Sequence, residues 1–316
     1  MGQAEGMSNA GGTAGAARGT SRRTVGILCA IGASLAWGFG STTSDYVLSA
    51  GVGNDTFLVI ELGVGFFVLL VLGAIRGELS GFRHPGLLRA SSTGIIEPWG
   101  AYTLGNVGII FSSGAFVALV SSLNPVLIAI LAAPYLGEKV SRRAAILMVV
   151  SIIGVSLVVG GAGVAGTLKP EGIIFAILGL FCGAAYVLIS SKLVRTVPVL
   201  PLVASQLLVA ALASLALLIV RVTIFNGDLQ LPATEMQWAV SVATGIFGGA
   251  APFIFYLEAT RRIPTTTVSQ FSTLVPVIAL IGGVVFLNDV TTPVQLLGTA
   301  IVVVSLSLLA RYARGH

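Results

Sequence analysis

Apolar runs of roughly 18–25 residues, separated by short polar breaks, recur from residue 24 almost to the C-terminus. Each is long enough to cross a hydrocarbon core of ~30 Å as a helix. Ten such runs are predicted, at about 24–44, 56–75, 91–110, 113–136, 143–161, 171–191, 200–221, 237–258, 265–287 and 293–311. The split between the third and fourth rests on a short uncharged turn in "LGNVGIIFSS". Residues 1–23, rich in Gly, Ala and Ser, show no periodicity and are expected as a flexible tail. The fold class that follows is an all-α polytopic membrane protein.

Two of these runs carry the same phrase. "SSLNPVLIAILAAPYLGE" begins at Ser121 and "STLVPVIALIGGVVFLND" at Ser272, an offset of 151 residues. At that offset Gly94 also aligns with Gly245, Tyr102 with Phe253 and Ser141 with Thr292. The third to fifth runs thus match the eighth to tenth. A unit of five helices is odd, so the second copy is inverted relative to the first. The predicted organisation is the tail 1–23, a first five-helix repeat over 24–162 and a second, inverted one over 171–312. Inverted repeats supply two bundles that can rock about a site near the midplane.

Charge tests this count. With the N-terminus in the cytoplasm, 15 of the 17 Lys and Arg fall in cytoplasmic segments, leaving Lys169 and Arg221 outside. A wrong helix count would scramble that alternation. Both termini are therefore expected in the cytoplasm, and the chain is expected as a multi-pass protein of the plasma membrane. Composition agrees: 55% of residues are hydrophobic and 9% charged, against ~25% charged in soluble domains. The 40 glycines suit closely packed membrane helices. Cys29 and Cys182, both in apolar runs, are expected as small buried hydrophobes rather than a disulfide or metal pair.

"LAWGFG" at Leu35–Gly40, "LNPVLIAILAAPYLGEKVS" and "FYLEATRRIPTTTVSQFSTLVPVIALIGGVVFLND" together resemble the drug/metabolite transporter superfamily in its EamA-type branch, over about residues 24–312. Asp289 departs from the pattern, standing where Glu is expected by comparison with Glu138. The resemblance implies ten helices and the movement of small metabolites, often outward, with no substrate named.

Candidate chemistry lies inside the helices. Pro125 and Pro276 fall mid-run, and a proline there frees the carbonyl four residues earlier, that of Ser121 or Ser272. They are expected as kinks, with Ser121 and Ser272 facing the pathway. Asn124 and Gln270 are uncharged polar groups suited to reading a solute, or equally to bonding between helices. Glu61 and Glu97 each lie well inside a run. A charged acid at a helix centre costs ~2.5–3.5 kcal/mol, so each should face a cavity, find a partner or hold a proton; the alternative is an acid reaching to the interface. Trp37, Trp99, Tyr102, Tyr186, Phe253 and Tyr256 are candidates to line an amphipathic cavity, or to pack. Glu258, just before Arg261 and Arg262, reads as a local ion pair, and Glu138 with Lys139 as a turn.

Other classes fit poorly. His84 lies in a loop and His316 at the last residue, no HExxH occurs and no aspartate pair is buried, so an intramembrane enzyme or metal site lacks its groups. No aromatic-and-basic stripe suggests nucleic acid. No P-loop domain follows the helices, so no ATP and no other cofactor is expected. The predicted partners are a small-molecule substrate and the lipid bilayer, with a homodimer left open. The rivals to export are import or uniport of a sugar or nucleotide-sugar by the same fold, and a scaffold that transports nothing.

Overall fold

A computed structural model describes residues 5–111, 117, 120–161, 169–286 and 291–315, and every regular element among them is helical. The helices are α1 (Glu5–Ser49), α2 (Asn54–Ile75), α3 (Leu87–Ser91), α4 (Ala101–Phe111), α5 (Asn124–Leu136), α6 (Arg142–Gly161), α7 (Pro170–Leu193), α8 (Val199–Thr223), α9 (Glu235–Thr244), α10 (Ala251–Thr260), α11 (Thr265–Phe271), α12 (Val275–Phe286) and α13 (Pro293–Gly315). Among the described residues, eight continuous segments are long and apolar enough to cross a membrane, and α5 is a shorter apolar helix. Apolar side chains alone do not fix this architecture. Hydrocarbon offers the backbone no hydrogen-bond partner, so each crossing must satisfy its own peptide groups.

The structure departs from the sequence expectation in three places. α1 begins at Glu5, inside the stretch expected as a flexible tail, where several alanines favour helix. The third run is not one helix. It proceeds through α3, a 3₁₀ turn (Ser92–Ile95) and a π-helical turn (Ile96–Gly100) before α4, and Glu97 is extended at φ −151°, ψ 136°. Pro98 is the cause: it lacks an N–H, and its ring disfavours helical geometry in the residue before it. The ninth run is divided by a 3₁₀ turn (Ser272–Leu274) between α11 and α12. The Ser272 carbonyl, expected to be freed by Pro276, accepts from the Val275 N–H in that turn. Pro125 likewise sits in the first turn of α5, after a turn at Ser122–Leu123. Both prolines occupy the start of a helix, where a missing N–H costs nothing. The end of the "LGNVGIIFSS" turn, and Asp289, lie outside the described residues.

The two repeats interlock through glycines. A Cβ on Gly94 would stand 2.3 Å from the Gln206 carbonyl oxygen of α8, and one on Gly245 would stand 2.8 Å from the Glu61 carbonyl oxygen of α2. These are the two glycines aligned by the repeat, each seating the third helix of one copy on the second helix of the other. α6 and α13 pack through Gly154 and Gly298, with the Ser151 and Ser305 hydroxyls 2.6 Å apart. One buried polar cluster between helices is fully paired: Tyr186 Oη donates to Gln206 Oε1 (3.0 Å), and Gln206 Nε2 donates to Thr93 Oγ1 (2.7 Å) and Ser190 Oγ (3.2 Å).

Helix ends meet in a consistent way. Asp55 and Arg221 form an ion pair of 2.8 Å at one end of the bundle. At the other, Arg22 donates to the Arg261 carbonyl (3.0 Å), and Glu258 pairs with Arg261 (3.2 Å) and Arg262.

Candidate functional site

A cavity of about 690 Å³ lies between the two repeats. It takes one face from each contributing helix. On α1 the lining positions Trp37, Ser41, Ser44 and Leu48 follow the four-, three- and four-residue steps of a helical stripe. On α12 Val275, Ala279 and Gly283 follow four-residue steps, with Pro276 and Leu280 beside them on the same face. Lining residues run from mid-helix to the end of the bundle that holds Leu48, Phe57, Val159 and Gln295, near the Asp55–Arg221 pair.

The opposite end is fastened. Glu138, just past the C-terminus of α5, accepts from the Thr265 N–H with Oε1 and from the Thr266 N–H with Oε2, both at 2.9 Å. The Thr266 hydroxyl adds a third bond at 3.0 Å. A carboxylate on the first N–H groups of a helix satisfies donors that have no intrahelical partner and favours the positive end of the helix dipole. The contact ties the first repeat to the second below the cavity.

Of the residues singled out by sequence, Trp37, Glu61, Glu97, Tyr102, Ser121, Asn124, Tyr256, Ser272 and Pro276 line the cavity. Pro125 is buried at the start of α5. Trp99, Tyr186 and Gln270 are not in the lining. Tyr186 is fully buried and engaged with Gln206. Phe253, also buried, is the hub on which the aromatic side chains meet: Trp37 edge-on at 5.4 Å, Tyr186 edge-on at 5.7 Å and Tyr102 tilted at 6.2 Å. Trp37 Nε1 donates to Tyr102 Oη at 3.1 Å, which orients both rings at the cavity wall.

Neither Glu61 nor Glu97 has a hydrogen bond or ion pair among the described residues, though the Glu61 side chain is only 3% exposed. Each acid faces a glycine of the second repeat. A Cβ on Gly248 would stand 3.2 Å from Glu61 Oε1, and one on Gly183 would stand 3.6 Å from Glu97 Oε2 and 3.5 Å from Asn124 Nδ2. Asn124 Oδ1 and Tyr256 Oη are buried at the cavity without a hydrogen-bond partner. The wall thus offers two unpaired carboxylates, aromatic faces, an amide and a phenol. That set can take a cation on the acids and ring faces and orient the rest of a small solute by hydrogen bonds.

Sequence reasoning missed Ser41, Thr42, Ser44, Asn106, Ser122 and Gln295, all in the lining. Helical spacing from Trp37 could have found Ser41 and Ser44, and spacing from Tyr102 could have found Asn106. It also missed Glu138 as a tie between the repeats, because its partners lie 127 and 128 residues away. Among the described residues no group of three or more His, Cys, Asp or Glu is placed to hold a metal ion.

Comparison with known proteins places this architecture. The EamA-like transporter family matches residues 24–160 and again 170–311. Threonine/homoserine exporter RhtA proteins of Escherichia coli strains K12 and O157:H7 are each 30% identical over 80 residues. That match involves 24% of this chain, and the chain spans 27% of the length of those relatives. A crystal structure of another protein superposes with a TM-score of 0.79 over 92% of this chain and 98% of that one, at 21% identity, and shares the fold. With both halves of the molecule matched, the chain belongs to the EamA-like transporter family.

Proposed function

We propose that this chain exports a small zwitterionic compound of the amino-acid class across the plasma membrane by alternating access, with both termini in the cytoplasm. The observation that carries the reading is the pair of unpartnered carboxylates, Glu61 and Glu97, on the wall of one cavity between inverted repeats. An ammonium group supplies the charge these acids lack. The Asn124 Nδ2 group and the Ser121 and Ser272 hydroxyls can donate to a substrate carboxylate, while the unpartnered Asn124 Oδ1 can accept from the ammonium. The break at Glu97 supports the same reading, since transporter sites form where helices are interrupted beside a cavity. The RhtA proteins carry threonine and homoserine in their name, and a partial likeness to them favours the amino-acid class over sugars.

In this arrangement the cavity faces the Asp55–Arg221 end, assigned to the outside by the distribution of basic residues, and Glu138 closes the cytoplasmic end. It corresponds to an exporter in its releasing state. The substrate enters from the cytoplasm after the Glu138 contact opens, binds between the repeats, and leaves when the bundles rock back.

Counterflow in proteoliposomes tests the reading. Threonine, homoserine and other neutral amino acids on the far side should drive uptake of labelled threonine, whereas a hexose should not. Glu61→Gln and Glu97→Gln should each reduce counterflow at least tenfold. Export should appear as lower intracellular accumulation in cells expressing the chain. Counterflow driven by sugars alone, or none with any solute, would overturn the assignment.

A further inference from the structure

A second groove, of about 700 Å³, shares no lining residue with the central cavity. It opens between α2, α8 and α10 at the end of the bundle that holds Arg22 and Arg261. Its walls are apolar: Leu69 and Leu72 of α2, Leu200 of α8 and Ile254 of α10. Val71, Ile75 and Phe255 beside it are exposed, as expected of a surface that faces lipid chains. Its mouth is polar and charged. Glu258 there is engaged with Arg261 and Arg262. Arg76 and Arg195, from the end of α2 and the loop after α7, are exposed and have no ion pair or hydrogen-bond partner from their side chains among the described residues. Glu78 is the one acid at the mouth left to oppose them.

We infer that this groove is a binding site for an anionic phospholipid, with the phosphate held by Arg76 and Arg195 and an acyl chain along Leu69, Leu72, Leu200 and Ile254. Two guanidinium groups outweigh the one free acid and match a phosphodiester, which arginine can grip with paired N–H donors. A soluble anion would leave the apolar wall uncovered. A zwitterionic lipid would bring an ammonium toward the arginines. Basic pockets between helices at the membrane surface suit acidic headgroups for these reasons.

Cys29 lines the groove and is half-buried, so it reports occupancy. The test uses the full chain carrying Cys182→Ser, in nanodiscs of phosphatidylcholine or of phosphatidylcholine with phosphatidylglycerol, and follows alkylation of Cys29 by uncharged N-ethylmaleimide. Phosphatidylglycerol should slow labelling at least threefold. Arg76→Gln with Arg195→Gln should abolish that protection. Arg76→Lys with Arg195→Lys, which keeps the charge but not the paired donors, should leave an intermediate protection, and Arg142→Gln, outside the groove, should retain it in full. Soluble glycerol phosphate added to phosphatidylcholine discs should give none. Equal rates in the two lipids, protection that survives the double Gln change, loss of protection in the double Lys variant, or protection by glycerol phosphate alone would each overturn the inference.

Discussion

Glu61 and Gln206 stand at matching crossings, each seated against a repeat-related glycine through its backbone carbonyl. Their side chains have taken different parts. Gln206 is the centre of a buried network with Tyr186, Thr93 and Ser190, whereas Glu61 faces the cavity without a partner. The consequence is testable in two tyrosines. Tyr186→Phe removes a hydroxyl that is hydrogen-bonded and leaves Gln206 Oε1 bare. An unsatisfied buried group costs about 1–3 kcal/mol, so the thermal unfolding midpoint should fall while KM stays within twofold. Tyr256→Phe removes a hydroxyl with no partner at the cavity wall, so stability should hold while KM for a zwitterionic substrate rises severalfold. Sequence could name both tyrosines as aromatic residues in apolar runs but could not rank them. Which face of a helix meets a cavity depends on the neighbours. The acids were easier to find, because a carboxylate at membrane depth is costly wherever it points.

At the scale of elements, the irregular turns repeat where the repeat predicts likeness. The π-helical turns Ile96–Gly100 and Gly245–Ala250 fall in matching helices, and both follow or contain a glycine that closes on a carbonyl of the other copy. The prolines at 125 and 276 were legible as a matched pair of interruptions, expected as kinks and found at helix starts, whereas Pro98 was not singled out and its run was read as one helix. The π turns were not, because they depend on close backbone approach rather than on local propensity. Replacing Gly94 or Gly245 with Ala places a methyl within 2.3–2.8 Å of backbone oxygen. Overpacking of that kind costs typically about 1–3 kcal/mol. Gly63 and Gly105 lie in apolar helices where an added Cβ would meet nothing within 4 Å, and Ala there removes a helix penalty of about 1 kcal/mol. The first two variants should unfold several degrees earlier in detergent, and the last two should unfold no earlier than the parent. Equal loss at all four sites would show that the glycines act through helix propensity and not through the crossings.

The whole molecule was most legible where the chain repeats itself. Two phrases 151 residues apart were enough to read the two-repeat fold that the family match over both halves bears out. The direction in which the cavity opens could not be read, since each state of a rocking bundle is built from the same sequence. Under the proposed alternating access it is set by contacts made in one state only, and that reading gives the part to Glu138, whose three hydrogen bonds cross the repeats at the end opposite the opening. Hydrogen bonds to a charged group are worth about 1.5–3 kcal/mol each, and every 1.4 kcal/mol shifts a two-state ratio about tenfold. Glu138→Ala should therefore move the population by at least tenfold toward the state open at the Thr265 end. Ser121 lines the cavity and can report the change as Ser121→Cys, with Cys29 and Cys182 both replaced by Ser. An impermeant thiol reagent should label it from the Asp55–Arg221 side in the parent, and more slowly after Glu138→Ala, with the gain appearing from the other side. Glu138→Gln keeps one acceptor oxygen and should fall between the two. Labelling that stays on the original side in both variants would mean that Glu138 only caps a helix, and that closure of this end rests on the packed core beneath it.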